Sequence, residues 1–211
     1  KVEGSSVTGV VLDNSTGDEG DFSRALDEAE RALGRPLDAL VNNAGVTGGG
    51  SIPSTSMKGF DLTIDTNLRG SYFLSQAFAR RLAADKRSGN ILNVCSSSSL
   101  RPAISPYTVS KWGMRGLTAG LAKSLAPLGI VVNGIAPGPT ATPMLIADGD
   151  GNLANPDVPA GRYATAEEIA NMAVLLVSDL SRMVVGDIVY MTGGCGNLTF
   201  DDMDYTIKLS D

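Results

Sequence analysis

Residues 91–111 read I-L-N-V-C-S-S-S-S-L-R-P-A-I-S-P-Y-T-V-S-K. An apolar run, Ile91 to Cys95, gives way to four serines, two prolines and then a segment with helical character. A short continuous apolar run bounded by turn residues is the mark of a strand buried on both faces. The helix that follows, from about Ser105 to Leu125, ends before Pro127, which cannot continue it. Within that helix Tyr107 and Lys111 stand four apart, so phenol and ammonium share one face. A phenol is a poor acid or base at neutral pH unless its anion is stabilised, and a cation one turn away in a water-poor site supplies that.

The same alternation extends in both directions. Val7–Leu12 is expected to be a strand closed by Asp13-Asn14. Phe22–Leu33 carries apolar residues at helical spacing and stops at Gly34. Leu37–Val41 is a second strand, Met57–Ala84 a long helix with Gly70 near its middle, and Asn90–Val94 the third strand. Ile130–Ile135 is the fourth, halted by Pro137-Gly138. Thr165 caps a helix reaching Val177, with Glu167 and Glu168 in its first turn. Val185–Met191 is the fifth strand, before Gly193-Gly194. Apolar strands alternating with helices imply one α/β domain, a doubly wound parallel sheet covered on both faces. The stretch 139–161, rich in Gly, Pro, Asn and Asp, follows a strand's carboxyl end, where ligands bind in open α/β sheets, and is expected to be a substrate lid. Residues 200–211 form a tail with no assignment.

Composition narrows the chemistry. At 211 residues, with 43% hydrophobic and 19% charged side chains, the chain is suited to one well-buried domain. A formal charge of −6 argues against a nucleic-acid surface. No apolar run is long enough for a membrane-spanning helix. Cys95 and Cys195 have neither metal-site nor disulfide-framework spacing, which points to a reducing, cytoplasmic setting. With no histidine at all, Ser-His-Asp and Cys-His catalysis and histidine metal sites are excluded. Acid–base work falls to carboxylate, Tyr, Lys or Cys, and a Tyr–Lys pair satisfies that restriction.

Taken in order, Asn42-Asn43-Ala44-Gly45, Asn67 in D-T-N-L-R-G, the serines after Cys95, Tyr107-x-x-x-Lys111 and Pro137-Gly138 resemble the short-chain dehydrogenase/reductase family. The resemblance covers Val7 to about Gly194. It implies a Rossmann-like sheet and an NAD(P)-dependent oxidoreductase that interconverts a secondary alcohol and a ketone by hydride transfer, with NAD versus NADP left open. It assigns Tyr107 as acid/base, Lys111 as the cation that steadies the phenolate and binds the nicotinamide ribose, and Asn67 as the residue that perturbs its helix and sustains a proton relay. Ser96 polarises the carbonyl, with Ser98 in reserve. Ser96 stands eleven positions before Tyr107, slightly closer than is usual in the family. For the cofactor the resemblance nominates Asp13 and Asn14 on the adenine side, Asn43 and Gly45 along the adenosine, and Pro137, Gly138, Thr140 and Thr142 at the carboxamide.

It also implies a homodimer or homotetramer acting on a small alcohol or ketone such as a 3-oxoacyl thioester, a sugar or polyol, or a steroid. Rival expectations are a non-catalytic binding or scaffold protein, and an epimerase or dehydratase of the extended family. The family's opening Gly-rich loop finds no counterpart here. The expectation is therefore that two N-terminal βα units, about 50 residues, are missing. Strand Val7–Leu12 should then stand about 14 Å from Leu37–Val41, or else pair with it in a non-family topology.

Overall fold

The computed structural model describes residues 7–142, 153–196 and 198. Among the described residues four parallel strands form one sheet in the order β1 (Ala39–Asn42), β2 (Gly89–Val94), β3 (Ile130–Pro137) and β4 (Ile188–Met191). Helix α1 (Glu19–Leu33) precedes β1; α2 (Met57–Ile64) and α3 (Gly70–Ala84) lie between β1 and β2, α4 (Pro106–Leu125) between β2 and β3, and α5 (Ala166–Val177) between β3 and β4. The parallel α/β architecture read from the sequence is the one observed. The central strand β3 is buried almost throughout, as a strand covered on both faces must be.

Local chemistry sets the helix limits. Asp18 and Asp21 form a reciprocal capping box at the start of α1, and Gly34 ends it at φ 68°, a conformation that suits glycine. Ser105 caps α4 with Thr108, and Pro106 occupies the first turn, where its missing N–H costs nothing. Thr165 and Glu168 do the same for α5. On one face of the sheet Leu26 of α1, Phe78 and Leu82 of α3 and Ala122 of α4 pack on Ile91, Ile130 and Val132. On the other, Leu176 and its neighbours in α5 cover Leu92 and Ile135. Arg81 ties α3 to α1 through ion pairs with Asp27 and Glu30.

Two readings need correction. Val7–Leu12 is not a strand: it joins no ladder, neither beside β1 nor in a ladder of its own, and Val7 and Val11 are almost fully exposed. Apolar β-branched composition makes a strand only where an edge is available to pair with. Nor is Met57–Ala84 one helix. It breaks at Asp65–Arg69 into a single π-helical turn, closed by the Gly70 N–H donating to Asp65 C=O. Residues 143–152 of the expected lid, and the tail 200–211, lie outside the described residues.

Candidate active site

The site is built where β1 and β2 end. Asn42 and Asn93 are register partners at those ends, and the Asn42 Nδ2 donates to Asn93 Oδ1 and to Ser75 Oγ, both at 2.8 Å. Asn93 in turn donates to Thr118 of α4 at 2.9 Å. A buried polar ladder thus links α3, the sheet and α4. Sequence reasoning singled out Asn43, which is exposed, and passed over Asn42, which holds the strand ends together. The signal was available, because V-N-N and L-N-V both place asparagine at the end of an apolar run.

Asn67 sits in the π-turn, 1% exposed. Its side chain grips Val46 by both backbone groups, accepting from the N–H at 2.8 Å and donating to the C=O at 2.9 Å. A second Nδ2 hydrogen goes to Ser110 Oγ at 3.0 Å. The expected disturbance of the helix at Asn67 is therefore present, as a π-turn. A Cβ on Gly45 would lie 3.5 Å from Asn67 Oδ1 and 3.9 Å from Lys111 Nζ, so Gly45 forms a bare floor beside both.

Lys111 is buried, and its Nζ donates to Val94 C=O at 2.8 Å. The same Nζ lies 5.7 Å from the centre of the half-exposed Tyr107 ring. Burial pushes the Lys111 pKa below its ordinary value, partly offset by the nearby Cys95. Burial likewise pushes the Cys95 thiol up, opposed by its contact with Thr118 and by Lys111. Among the described residues no carboxylate pairs with Lys111. Its ammonium has three N–H donors and spends one on Val94, which leaves two for partners in the cleft.

Ser96 is buried directly after β2 and caps the short 3₁₀ turn Ser97–Leu100, its Oγ accepting from Ser98 N–H at 3.1 Å. Its hydroxyl hydrogen remains available to donate. Ser98 is the more exposed of the two. The serine turn is tied to α4 by Trp112 Nε1 donating to Arg101 C=O at 2.7 Å and Arg115 donating to Ser99 C=O at 3.2 Å.

At the far end of β3, Gly138 N–H donates to Met191 C=O at 2.9 Å. Here a side chain is excluded, since a Cβ would meet the Thr192 backbone at 2.7 Å. Thr140 turns its hydroxyl back onto Gly138 C=O and bridges to Ala164, with Ala141 N–H donating to Ala164 C=O. Pro137 and Thr142 flank this turn. Asp13 spends its carboxylate locally, accepting from the Ser15 N–H and Oγ, which lowers its pKa. Asn14 packs on Gly70, where an added Cβ would come within 2.6 Å of it. A groove of about 570 Å³ opens between α5 and the end of β4, lined in part by Met172, Leu175, Tyr190 and Met191. It contains none of Tyr107, Lys111 or Ser96.

The family described as enoyl-(acyl carrier protein) reductase matches residues 4–196. The chain belongs to the short-chain dehydrogenase/reductase family, an enzyme family of NAD(P)-dependent oxidoreductases. It is 38% identical over 171 residues to a gluconate 5-dehydrogenase of Gluconobacter oxydans, covering 78% of this chain and 66% of that relative. It is 35% identical over 196 residues to the (2S)-[(R)-hydroxy(phenyl)methyl]succinyl-CoA dehydrogenase subunit BbsD of Thauera aromatica, covering 90% and 77%. A solved gluconate 5-dehydrogenase from Burkholderia cenocepacia, in complex with NADP and tartrate, superposes with a TM-score of 0.77 at 31% identity, covering 88% of this chain and 74% of that one. The chain thus spans only 66% of the length of its Gluconobacter relative and somewhat more of the other two.

Proposed function

We propose that this enzyme interconverts a secondary alcohol and a ketone by hydride transfer to or from NAD or NADP, with Tyr107 as the acid/base. The observation that carries this reading is Lys111, a buried ammonium held on Val94 C=O beneath the Tyr107 ring, with no carboxylate partner among the described residues. An ionised side chain is costly to bury unless it is put to use, and a charge facing a phenol has an evident use. When bound, the nicotinamide supplies the hydride acceptor or donor. The bare Gly45 floor, the spare Lys111 donors and the Gly138–Thr140 turn suit its ribose and carboxamide, and Thr142, Asn43, Asp13 and Asn14 would complete the contacts. Ser96 donates to the substrate oxygen and stabilises charge that develops there. Tyr107 gives up or takes the proton, while Lys111 favours its anion electrostatically. Asn67 keeps the geometry of the relay, since its amide hydrogens are already spent on Val46 and Ser110.

Gluconate is the first substrate to test, because two of the relatives above carry that name. The segment 139–161 is proposed to cover the cleft; its two described ends are pinned beside Gly138 by the Thr140–Ala164 bridge and by Ala160 N–H donating to Gly193 C=O. A homodimer or homotetramer is also proposed, through the helical face that leaves Met57, Phe60, Tyr72, Val109 and Trp112 exposed. Gly116 and Gly120 support it. Each weakens α4 by about 1 kcal/mol relative to alanine, yet among the described residues a Cβ on either would meet nothing within 4 Å outside the helix's own backbone. A close-packed partner helix would account for both. Two free thiols, Cys95 and Cys195, fit a cytoplasmic setting. Titration with NADH and NADPH by fluorescence, followed by turnover of gluconate and of 3-oxoacyl thioesters, tests the reading; absence of binding to either nucleotide overturns it.

A further inference from the structure

Ser110 lies between Tyr107 and Lys111 on α4 and has no exposed surface. Serine in a helix interior is a poorer helix former than alanine and competes for backbone hydrogen bonds. Here its hydroxyl is committed twice. It donates to Tyr107 C=O at 2.7 Å and accepts from Asn67 Nδ2 at 3.0 Å. A hydroxyl has one hydrogen. With that hydrogen on Tyr107, only lone pairs face Asn67, and the amide is the required donor. Asn67 meanwhile holds Val46, next to the Gly45 floor. One side chain therefore joins three pieces of the site: the loop after β1, the π-turn, and the turn of α4 that bears Tyr107 and Lys111.

We infer that Ser110 is a positioning residue that fixes the Tyr107–Lys111 turn against Asn67, so that its loss reaches the reaction through Asn67. The inference rests on the function proposed above. Leucine packing between Leu68 and Gly113 also holds the π-turn to α4, but it is non-directional and does not set where the amide lies. The Ser110 bond does.

The test is a double-mutant cycle in the full chain, Ser110→Ala and Asn67→Ala singly and together, with Tyr107→Phe as reference. Readouts are kcat and cofactor Kd, with folding checked by circular dichroism. Ser110→Ala is expected to lower kcat by about tenfold, the usual scale for orphaning one buried hydrogen-bonding group. Cofactor Kd should stay within about twofold, and in the Asn67→Ala background the same substitution should change kcat by less than about twofold. Ser110→Thr, which keeps the hydroxyl, should retain most of the activity. If Ser110→Ala does not fold, Ser110→Cys takes its place, because it keeps the volume while sulfur is a weak acceptor; Asn67→Leu likewise replaces Asn67→Ala, since it roughly keeps the size of the side chain and removes its donors and acceptor. Undiminished kcat in Ser110→Ala, or an equal loss in both Asn67 backgrounds, overturns the inference; the latter would mean that only the local bond to Tyr107 C=O matters. Should Tyr107→Phe stay active, the proposed function falls and this inference with it. An inactive Tyr107→Phe together with an additive cycle overturns this inference alone.

Discussion

Gly70→Ala tests whether the π-turn supports the cofactor's adenine side. Gly70 has ordinary helical dihedrals, so alanine fits the backbone and should gain about 1 kcal/mol of helix propensity. Against this stands Asn14. An added Cβ would come within 2.6 Å of Asn14 Cβ and 2.7 Å of its backbone oxygen, about 1 Å inside normal contact. The oxygen is backbone and cannot rotate away, so the Asp13–Gly17 segment must lift. Arg69 resists by donating to Gly17 C=O at 3.0 Å. Overpacking of this kind costs about 1–3 kcal/mol, so the clash cancels or exceeds the propensity gain. At roughly 2–4 °C per kcal/mol for a chain of this size, melting should fall by up to about 8 °C. With one adenine-side hydrogen bond displaced, NAD(P) affinity should weaken by about two- to tenfold. Turnover at saturating cofactor should hold, because the closest contacts of the added Cβ are all with Asn14 and not with Val46 or Ser110, the partners of Asn67. Calorimetry and a fluorescence titration read both effects. A melting temperature raised by about 2–4 °C with unchanged affinity would show that propensity alone operates and that Asn14 has no role.

Tyr107→Phe should cost at least about 10²-fold in turnover and leave cofactor affinity intact, because only the ionisable oxygen is lost; a variant that keeps more than about a tenth of wild-type activity would dismiss the assigned role. The Arg162 ion pair and the Thr165 N–H hold Glu168 at about 2 instead of 4.5. A carboxyl held low stabilises the fold above its unfolded value and stops doing so as pH falls through the folded one. The melting gap between wild type and Glu168→Gln should therefore close between pH 4.5 and about 2, and a gap that stays constant over that window rules the linkage out. Gly120→Arg, placed where among the described residues an added Cβ would meet nothing within 4 Å, should reduce the proposed assembly to monomers by light scattering, whereas a mass equal to wild type would remove α4 from the proposed interface.

Strand and helix order was legible because burial on both faces writes itself into β2 and β3 as largely apolar runs, each broken by a buried asparagine, Asn93 or Asn133, and because caps such as Thr165–Glu168 are local. Val7–Leu12 was misread for a complementary reason. Its residues suit a strand, but a strand is a relation between two segments, and composition does not show whether the second is there. The Tyr107–Lys111 pairing was legible from helical spacing. That Lys111 would lean on Val94 C=O was not, since a lysine's three donors can find any carbonyl the fold presents. Ser96 over Ser98 rested on the match of I-L-N-V-C-S to the family's strand-plus-serine pattern, with a spacing to Tyr107 shorter than usual; in the fold Ser96 is buried and Ser98 half-buried.

The π-turn has a pattern behind it that a search for apolar periodicity overlooks. Thr63, Asn67, Ser71, Ser75 and Ala79 are all buried, at steps of four. On a straight α-helix each step of four advances about 40° past a full turn, so four steps would carry Ala79 about 160° round from Thr63. One side or the other of such a helix would then face water. Spreading the backbone over one extra residue at Asp65–Arg69 takes back about 100° and leaves all five residues on a single face. Four of the five are polar, and each makes a bond that apolar residues could not: Thr63 to Gly48 C=O, Asn67 to Val46 and Ser110, Ser71 to Asn67 C=O, and Ser75 to Asn42. The irregular turn is thus the condition for aiming a line of hydrogen-bonding side chains toward the ends of β1 and α4, which is where the reaction is proposed to take place.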